Sequence, residues 1–174
     1  MDKCLKKTFL ITGGTGYIGS HICYVLLKKG YRIVILDSNV NSSSKVIDQV
    51  LNILSDEKLD CSQRFKFIKG DIRDEKCLTN VFYEYKKKGF PIRGVIHLAG
   101  LKSVSESLKN PLKYWEINVL GSIKLFNVME EFDCRTIVFS SSASIYGLSK
   151  NYPITEKSTI NPTSPYGATK ATIE

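Results

Sequence analysis

The sequence has 174 residues, 43% of them hydrophobic and 24% charged, proportions that suit one globular domain able to build its own core without disulfide or metal staples. Its formal charge of +8 comes from scattered lysines, densest at Lys86-Lys87-Lys88, with none of the interleaved aromatics of a basic nucleic-acid-binding stripe, so a nucleic-acid partner is excluded and the triplet reads as a solvated helix end. No segment approaches the roughly 20 consecutive apolar residues that span a membrane, which excludes a membrane partner of that kind.

The first element is the apolar run Phe9-Leu10-Ile11-Thr12, which breaks into Gly13-Gly14-Thr15-Gly16-Tyr17-Ile18-Gly19 and resumes as a helical pattern. Gly14, Gly16 and Gly19 satisfy G-x-G-x-x-G, and Gly13, Gly16 and Gly19 satisfy the wider G-x-x-G-x-x-G. Glycine permits a sharp turn with positive φ, and its missing Cβ lets backbone approach a pyrophosphate and lets the next helix lie close to the sheet. The helix then aims its free N–H groups, those of Tyr17, Ile18 and Gly19 first, at the anion. It is expected from Tyr17 to Lys29, with Ile18, Ile22, Val25 and Leu26 on one face and Gly30 as its stop.

A second strand, Arg32 to Asp37, ends in a carboxylate about 20 residues beyond the glycines, where an NAD ribose offers its hydroxyls. Asp37 would repel a 2′-phosphate, so the expected cofactor is NAD rather than NADP. A polar loop, Ser38 to Ser44, leads to a helix over about Lys45 to Leu54 with Val46, Val50 and Ile53 at helical spacing. A third strand, Phe65 to Ile68, ends in Gly70-Asp71-Ile72. A helix from about Glu75 to Lys88 follows, and then a fourth strand, Gly94 to Leu98. His97 sits inside this apolar run and is expected to be a satisfied core histidine. The strand ends in Ala99-Gly100-Leu101-Lys102, small residues bordering a crevice, and a long helical region is expected from about Pro111 to Glu131. Asn118 in its middle either holds backbone near the site or sits on the surface. The fifth strand, Thr136 to Phe139, runs into Ser140-Ser141-Ser142-Ala143. After a Pro- and Asn-rich loop comes Ser164-Pro165-Tyr166-Gly167-Ala168-Thr169-Lys170.

Short β-branched runs alternating with charged helices define an α/β fold, a Rossmann-type doubly wound parallel sheet. Tyr166 and Lys170, four apart, share a face if the last stretch is helical. A phenol is a poor base at neutral pH, but a nearby ammonium favours its phenolate, and a serine hydroxyl at the strand end can reach the same substrate oxygen. The five cysteines, Cys4, Cys23, Cys61, Cys77 and Cys134, include no C-x-x-C pair and no histidine at metal spacing, so no metal site is expected and the thiols read as reduced. The basic Met1 to Lys7 precedes an apolar run too short for the about 7 to 15 residues of a signal peptide, and the expected location is cytoplasmic.

With Thr12 to His21, Gly70-Asp71-Ile72-Arg73, His97-Leu98-Ala99-Gly100-Leu101-Lys102, Phe139 to Ala143 with Tyr146-Gly147, and Ser164-Pro165-Tyr166-Gly167 in place, the chain resembles the extended short-chain dehydrogenase/reductase family. Within it, the chain is similar to the amino-terminal half of the UDP-hexose 4-epimerases, and the likeness runs through nearly every residue. It implies a tightly held NAD, with Asp37 on the adenosine ribose and Asp71-Ile72 beside the adenine. Gly13, Gly16, Tyr17, Ile18, Gly19, Ala99, Gly100, Lys102 and Asn118 are implied along its path, with Tyr166 and Lys170 at the nicotinamide end. Ser142, Tyr166 and Lys170 are implied to do the chemistry, which is epimerisation at C4 of a UDP-sugar, UDP-glucose or UDP-galactose, through a 4-keto intermediate. The resemblance also implies a homodimer, and a further substrate-holding domain beyond residues 1–174, so that the Rossmann sheet is incomplete on its carboxyl-terminal side and the chain reads as a fragment.

Two departures and three alternatives stand beside this. Ser38 replaces the asparagine frequent after the ribose acid, and the chain ends a turn after Lys170. A 4,6-dehydratase shares the Tyr/Lys pair but needs an acid and a carboxylate where Ala143 and Ser144 stand, which argues against it. Epimerisation of a UDP-N-acetylhexosamine or UDP-glucuronate, or a non-catalytic NAD-binding domain, remain the other readings.

Overall fold

The computed structural model describes residues 7–149 and 152–174; Cys4 lies outside them. Five strands, β1 (Thr8–Thr12), β2 (Arg32–Asp37), β3 (Phe65–Lys69), β4 (Ile92–His97) and β5 (Ile137–Phe139), form one parallel sheet in the order β3-β2-β1-β4-β5. The chain winds outward from β1 to β3, then crosses back to lay β4 on the other side of β1. That reversal opens a crevice at the carboxyl ends of β1 and β4, where ligands of such sheets bind.

Both faces of the sheet are covered, and the sequence shows why. Successive strand residues point to opposite faces, and in β1 and β2 both sets are apolar. Leu10, Val34 and Leu36 pack with Leu78, Val81 and Phe82 of α3 (Glu75–Lys87) and Leu125 and Val128 of α6 (Gly121–Glu131). Ile11, Ile33 and Ile35 pack with Cys23 and Leu27 of α1 (Tyr17–Lys28) and Ile47 and Leu54 of α2 (Lys45–Asp56). Runs apolar on both faces mark strands of a buried parallel sheet.

The helices form where expected, but two present a different face. In α1 the buried residues are Gly19, Ser20, Cys23 and Leu27, whereas Ile18 and Val25 of the expected face are exposed. Apolar residues surround this helix, and Gly19 sets its rotation: a Cβ there would lie 2.4 Å from the Gly13 carbonyl oxygen, so only the glycine row can sit against the loop. In α2 the buried row is Ile47, Val50 and Leu54 rather than Val46, Val50 and Ile53. Gly30 does stop α1. It takes φ +81°, its N–H reaches the Leu27 carbonyl, and Tyr31 N–H reaches Leu26, the paired bonds of a Schellman ending.

The region from Pro111 to Glu131 is helical but not uniform. α5 (Pro111–Tyr114) passes into a π-helical stretch, Trp115–Leu120, before α6 resumes. A short helix, α4 (Val104–Lys109), precedes it where no helix was expected. Its start is written as Ser103-Val104-Ser105-Glu106: Ser103 Oγ accepts the Glu106 N–H, half of a capping box. The last helix, α7 (Pro165–Ile173), begins with Ser164 Oγ accepting the Gly167 N–H and Pro165 in its first turn, a start that proline favours. Among the described residues no helix is long and apolar enough to cross a membrane.

Candidate active site

The cleft above the β1/β4 switch has a volume of about 360 Å³. Its floor is the glycine loop. Gly13 takes φ +72°, and a Cβ there would meet the backbone of Leu98 and Ala99 within 3 Å, so this glycine lets the loop fold down onto the end of β4. Gly16 caps α1 without a side chain, which leaves the first N–H groups of a twelve-residue helix without capping partners at the cleft wall formed by Tyr17, Ile18 and Gly19. Such an end attracts an anion, both through the exposed N–H groups and through the helix dipole.

At one end of the cleft, Asp37 is almost fully buried. Its Oδ2 accepts the Thr15 N–H at 3.1 Å, and its Oδ1 accepts the Asn39 N–H at 3.0 Å and the Ser42 hydroxyl at 3.2 Å. The carboxylate thus ties the glycine loop to the loop after β2, and lone-pair capacity remains for a hydroxyl in the cleft. Asp71 and Ile72 stand beside it. Arg73 grips both Asp71 oxygens, at 3.2 Å or less, and also reaches Glu116; this guanidinium holds the Asp71 carboxyl below its usual range.

At the other end stand Tyr166 and Lys170, on one face of α7. The Tyr166 ring packs edge-on against fully buried Tyr114, centroids 6.4 Å apart. Tyr114 is itself fixed, its hydroxyl accepting the Ser103 N–H and donating to Glu106. Lys170 Nζ donates to the Ser140 carbonyl at 2.8 Å and lies over the Phe139 ring. Burial pushes its pKa from 10.5 down to about 8, because an ammonium loses hydration there.

A testable pH effect follows. Below pH 8 folded and unfolded chains both carry the protonated lysine, and the folded state bears the full cost of burying it. Between pH 8 and 10.5 the folded state loses the proton first, so stability rises with pH, by up to about 3 kcal/mol. Urea midpoints measured at pH 7 and pH 10 should show this rise in the unliganded protein and lose it in Lys170→Met; an equal rise in both would assign it elsewhere.

Of the residues expected at the site, Gly13, Gly16, Tyr17, Ile18, Gly19, Asp37, Asp71, Ile72, Ala99, Gly100, Lys102, Tyr166 and Lys170 line this single cleft. Asn118 and Ser142 do not. Asn118 is 1% exposed and stands behind the wall: its Oδ1 accepts the Leu101 N–H, and its Nδ2 donates to the Leu101 carbonyl and to Thr169 Oγ1. It is therefore spent on holding backbone. Ser142 caps a 3-10 turn, Ala143–Tyr146, by accepting the Ser144 N–H, which leaves its own proton to give. The wall residues missed from sequence include Val40 and Asn41, Arg73, Ile117 and Ser141. Strand-end position could have flagged Ser141, whose Oγ is the one buried side-chain polar atom without a partner among the described residues. Nothing in the sequence flags exposed Val40.

No group of three or more metal-ligating side chains occurs among the described residues. Cys23, Cys61, Cys77 and Cys134 are free thiols, and burial pushes Cys23 up to about 12.

A parallel sheet wound in this order, with a glycine loop, an acid closing the second strand and a Tyr/Lys pair facing one cleft, is the architecture of a dinucleotide-dependent short-chain dehydrogenase/reductase of the extended type. The chain belongs to that class, in the family described as GDP-mannose 4,6 dehydratase, whose sequence model matches residues 10–174. Among its relatives, UDP-glucose 4-epimerase 2 of Arabidopsis thaliana is 42% identical over 170 residues, 98% of this chain and 46% of that protein. The structure of UDP-glucose 4-epimerase from Bifidobacterium longum in complex with NAD+ and UDP superposes with TM-score 0.86 at 38% identity, over 96% of this chain and 47% of that one. The epimerase from Stenotrophomonas maltophila, with bound NAD and formylated UDP-arabinopyranose, gives 0.85 at 37% identity, with 96% and 46% covered. The chain spans about half the length of the curated relatives it matches.

Proposed function

We propose that this chain is the NAD-binding part of a UDP-hexose 4-epimerase, in which Ser142, Tyr166 and Lys170 act on C4 of the sugar. The observation that carries the reading is that the helix N-terminus, Asp37 and the Tyr166/Lys170 pair all face one cleft. The residues present fit NAD: a side-chain-free helix end for the pyrophosphate, a carboxylate for the adenosine ribose, and an ammonium at the far end for the nicotinamide ribose. When bound, NAD supplies a reversible hydride acceptor.

The chain's own residues do the rest. Tyr166, as phenolate, accepts the proton of the sugar's 4-hydroxyl as that carbon becomes a ketone, and returns it when the alcohol re-forms with the opposite configuration. Lys170 stabilises the phenolate by its charge. Ser142, whose oxygen takes the Ser144 N–H, keeps its hydroxyl proton to hydrogen-bond the sugar oxygen. Named relatives and the NAD- and UDP-bound neighbours support this choice.

The dehydratase named by the family model is the weaker reading. Elimination of water needs an acid and a carboxylate after the serine, and Ala143 and Ser144 stand there; the carboxylates in the cleft, Asp37 and Asp71, lie at its opposite end. The homodimer belongs to the same proposal, with the exposed apolar Leu112, Leu120 and Ile123 as a face for a second copy.

Conversion of UDP-galactose to UDP-glucose by the full-length protein, purified with its bound nucleotide, tests the function. An inactive protein with NAD bound would sink it. Asp37→Ala is expected to weaken NAD binding about tenfold or more and to narrow its preference over NADP, through loss of the ribose hydrogen bonds and of the carboxylate's repulsion. Competition titration reads both, and an unchanged preference would move the adenosine ribose elsewhere.

A further inference from the structure

Behind the cleft runs a chain of buried polar groups that the proposed reaction does not use. Thr12, His97, Asn118, Ser122 and Thr169 are each at most 1% exposed, so each of their hydrogen bonds counts. His97 Nδ1 lies 2.6 Å from Thr12 Oγ1, and its Nε2 lies 2.9 Å from Ser122 Oγ. Ser122 Oγ also contacts the Asn118 carbonyl, and Thr12 Oγ1 receives the Ala99 N–H at 3.3 Å.

One end of this chain has a fixed sense, and together with the groups facing the ring it orders the rest. The Asn118 carbonyl can only accept, so Ser122 spends its one proton there and must accept from the histidine; Nε2 therefore carries a hydrogen. At the other end Thr12 Oγ1 accepts the Ala99 N–H, which leaves it a second lone pair as well as its proton, so the charge of the ring decides the bond to Nδ1. The groups facing the ring, Thr12 from β1, the Phe139 ring from β5 at 5.5 Å, Ser122 from α6 and the Lys170 ammonium from α7, include no anion to stabilise an imidazolium, so the ring is neutral, Nδ1 is bare and Thr12 donates to it. Burial and that ammonium push the His97 pKa down to about 3.

Beyond Asn118 the chain continues. The Asn118 amide donates to Thr169 Oγ1 at 3.1 Å, and Thr169 donates to the Tyr166 carbonyl at 2.7 Å. We infer that His97 is a positioning residue, a neutral Nε2–H imidazole at the centre of a one-way chain of hydrogen bonds that ties the end of β1 and the Ala99–Leu101 wall to the helix carrying Tyr166. It sets the distance between the wall, where the cofactor lies in the reading above, and the phenol. Only the kinetic consequence rests on the epimerase reading.

The test has two arms on the full-length holoprotein. Long-range proton–nitrogen NMR of the labelled imidazole should show hydrogen on Nε2 and none on Nδ1 at neutral pH; the reverse tautomer overturns the inference. Thr12→Val keeps the shape and deletes the hydroxyl, whereas Thr12→Ser keeps the hydroxyl. The valine variant should lose about tenfold in kcat at unchanged KM for the UDP-sugar, with the ring hydrogen still on Nε2, and serine should restore kcat. Equal behaviour of the two variants overturns the positioning role. Should Thr12→Val not fold, Ser122→Ala cuts the chain on the other side of the ring and must show the same fall in kcat together with a shift of the ring toward a tautomer mixture, or the inference fails. The tautomer readout needs no turnover, so a protein that epimerises nothing would overturn the proposed reaction and leave His97 to be judged on its ring.

Discussion

Phenylalanine in place of Tyr166 is expected to lower epimerase turnover of the full-length protein by at least ~10², the scale of a lost general base, while NAD stays bound. The ring makes the packing contacts: it sits against Tyr114, with Leu101 and Ile117 around it. The hydroxyl has no hydrogen-bond partner among the described residues, so its removal leaves no buried group stranded and costs little stability. The glycine loop and Asp37, which the proposal gives to NAD, line other parts of the cleft. The variant therefore separates chemistry from folding. Turnover and nucleotide content measured on the same preparation decide it, and near-normal epimerisation would take the base role from Tyr166.

The second large effect belongs to Gly13. Gly13→Ala is expected to cost at least ~3 kcal/mol and to abolish NAD retention, through two terms that add. One is the positive φ, unfavourable for alanine by about 1 kcal/mol. The other is steric, since the new methyl would fall 2.7 to 2.9 Å from backbone atoms of Leu98 and Ala99, which β4 pairing prevents from yielding. Gly89→Ala is the control. It shares the left-handed conformation, φ +76°, but has nothing within 4 Å, and should lose only the dihedral term of about 1 kcal/mol. Urea unfolding of both variants isolates the clash, and equal losses would show that the loop moves to make room.

Much of this was legible in the sequence because the informative features are local. The glycine spacing, the acid at the end of β2 and the four-residue offset of Tyr166 and Lys170 each encode a geometry within one or two elements, and the alternation of strands and helices encodes the sheet. Rotation about a helix axis is different. In α1, two apolar rows compete, and the choice is made by the contact of Gly19 with the loop that precedes it, a packing event with no periodic signature. Asn118 was ambiguous for a similar reason. Its burial depends on a departure from α geometry one turn long, and its partners, Leu101 and Thr169, are 17 and 51 residues away. Ser142 shows a third limit: whether a hydroxyl at a strand end also caps the turn that follows is decided by the backbone direction after Phe139, which no residue pattern encodes.

The π-helical stretch has a consequence for length variation. The Gly121 N–H reaches back five residues to the Glu116 carbonyl, so Trp115–Leu120 absorbs about one residue more than an α-helix of the same rise would hold. Deleting a single residue there would relax the stretch to ordinary α-helix of the same rise and leave every later side chain facing as it does now. Forcing all six residues into α geometry would instead turn Ser122, Leu125, Val128 and Met129, now buried against the sheet, off it together by about 100°. The π turn takes up a surplus residue without disturbing the phase of the helix that follows, so a shortening by that one residue is the length change this layer of the core tolerates.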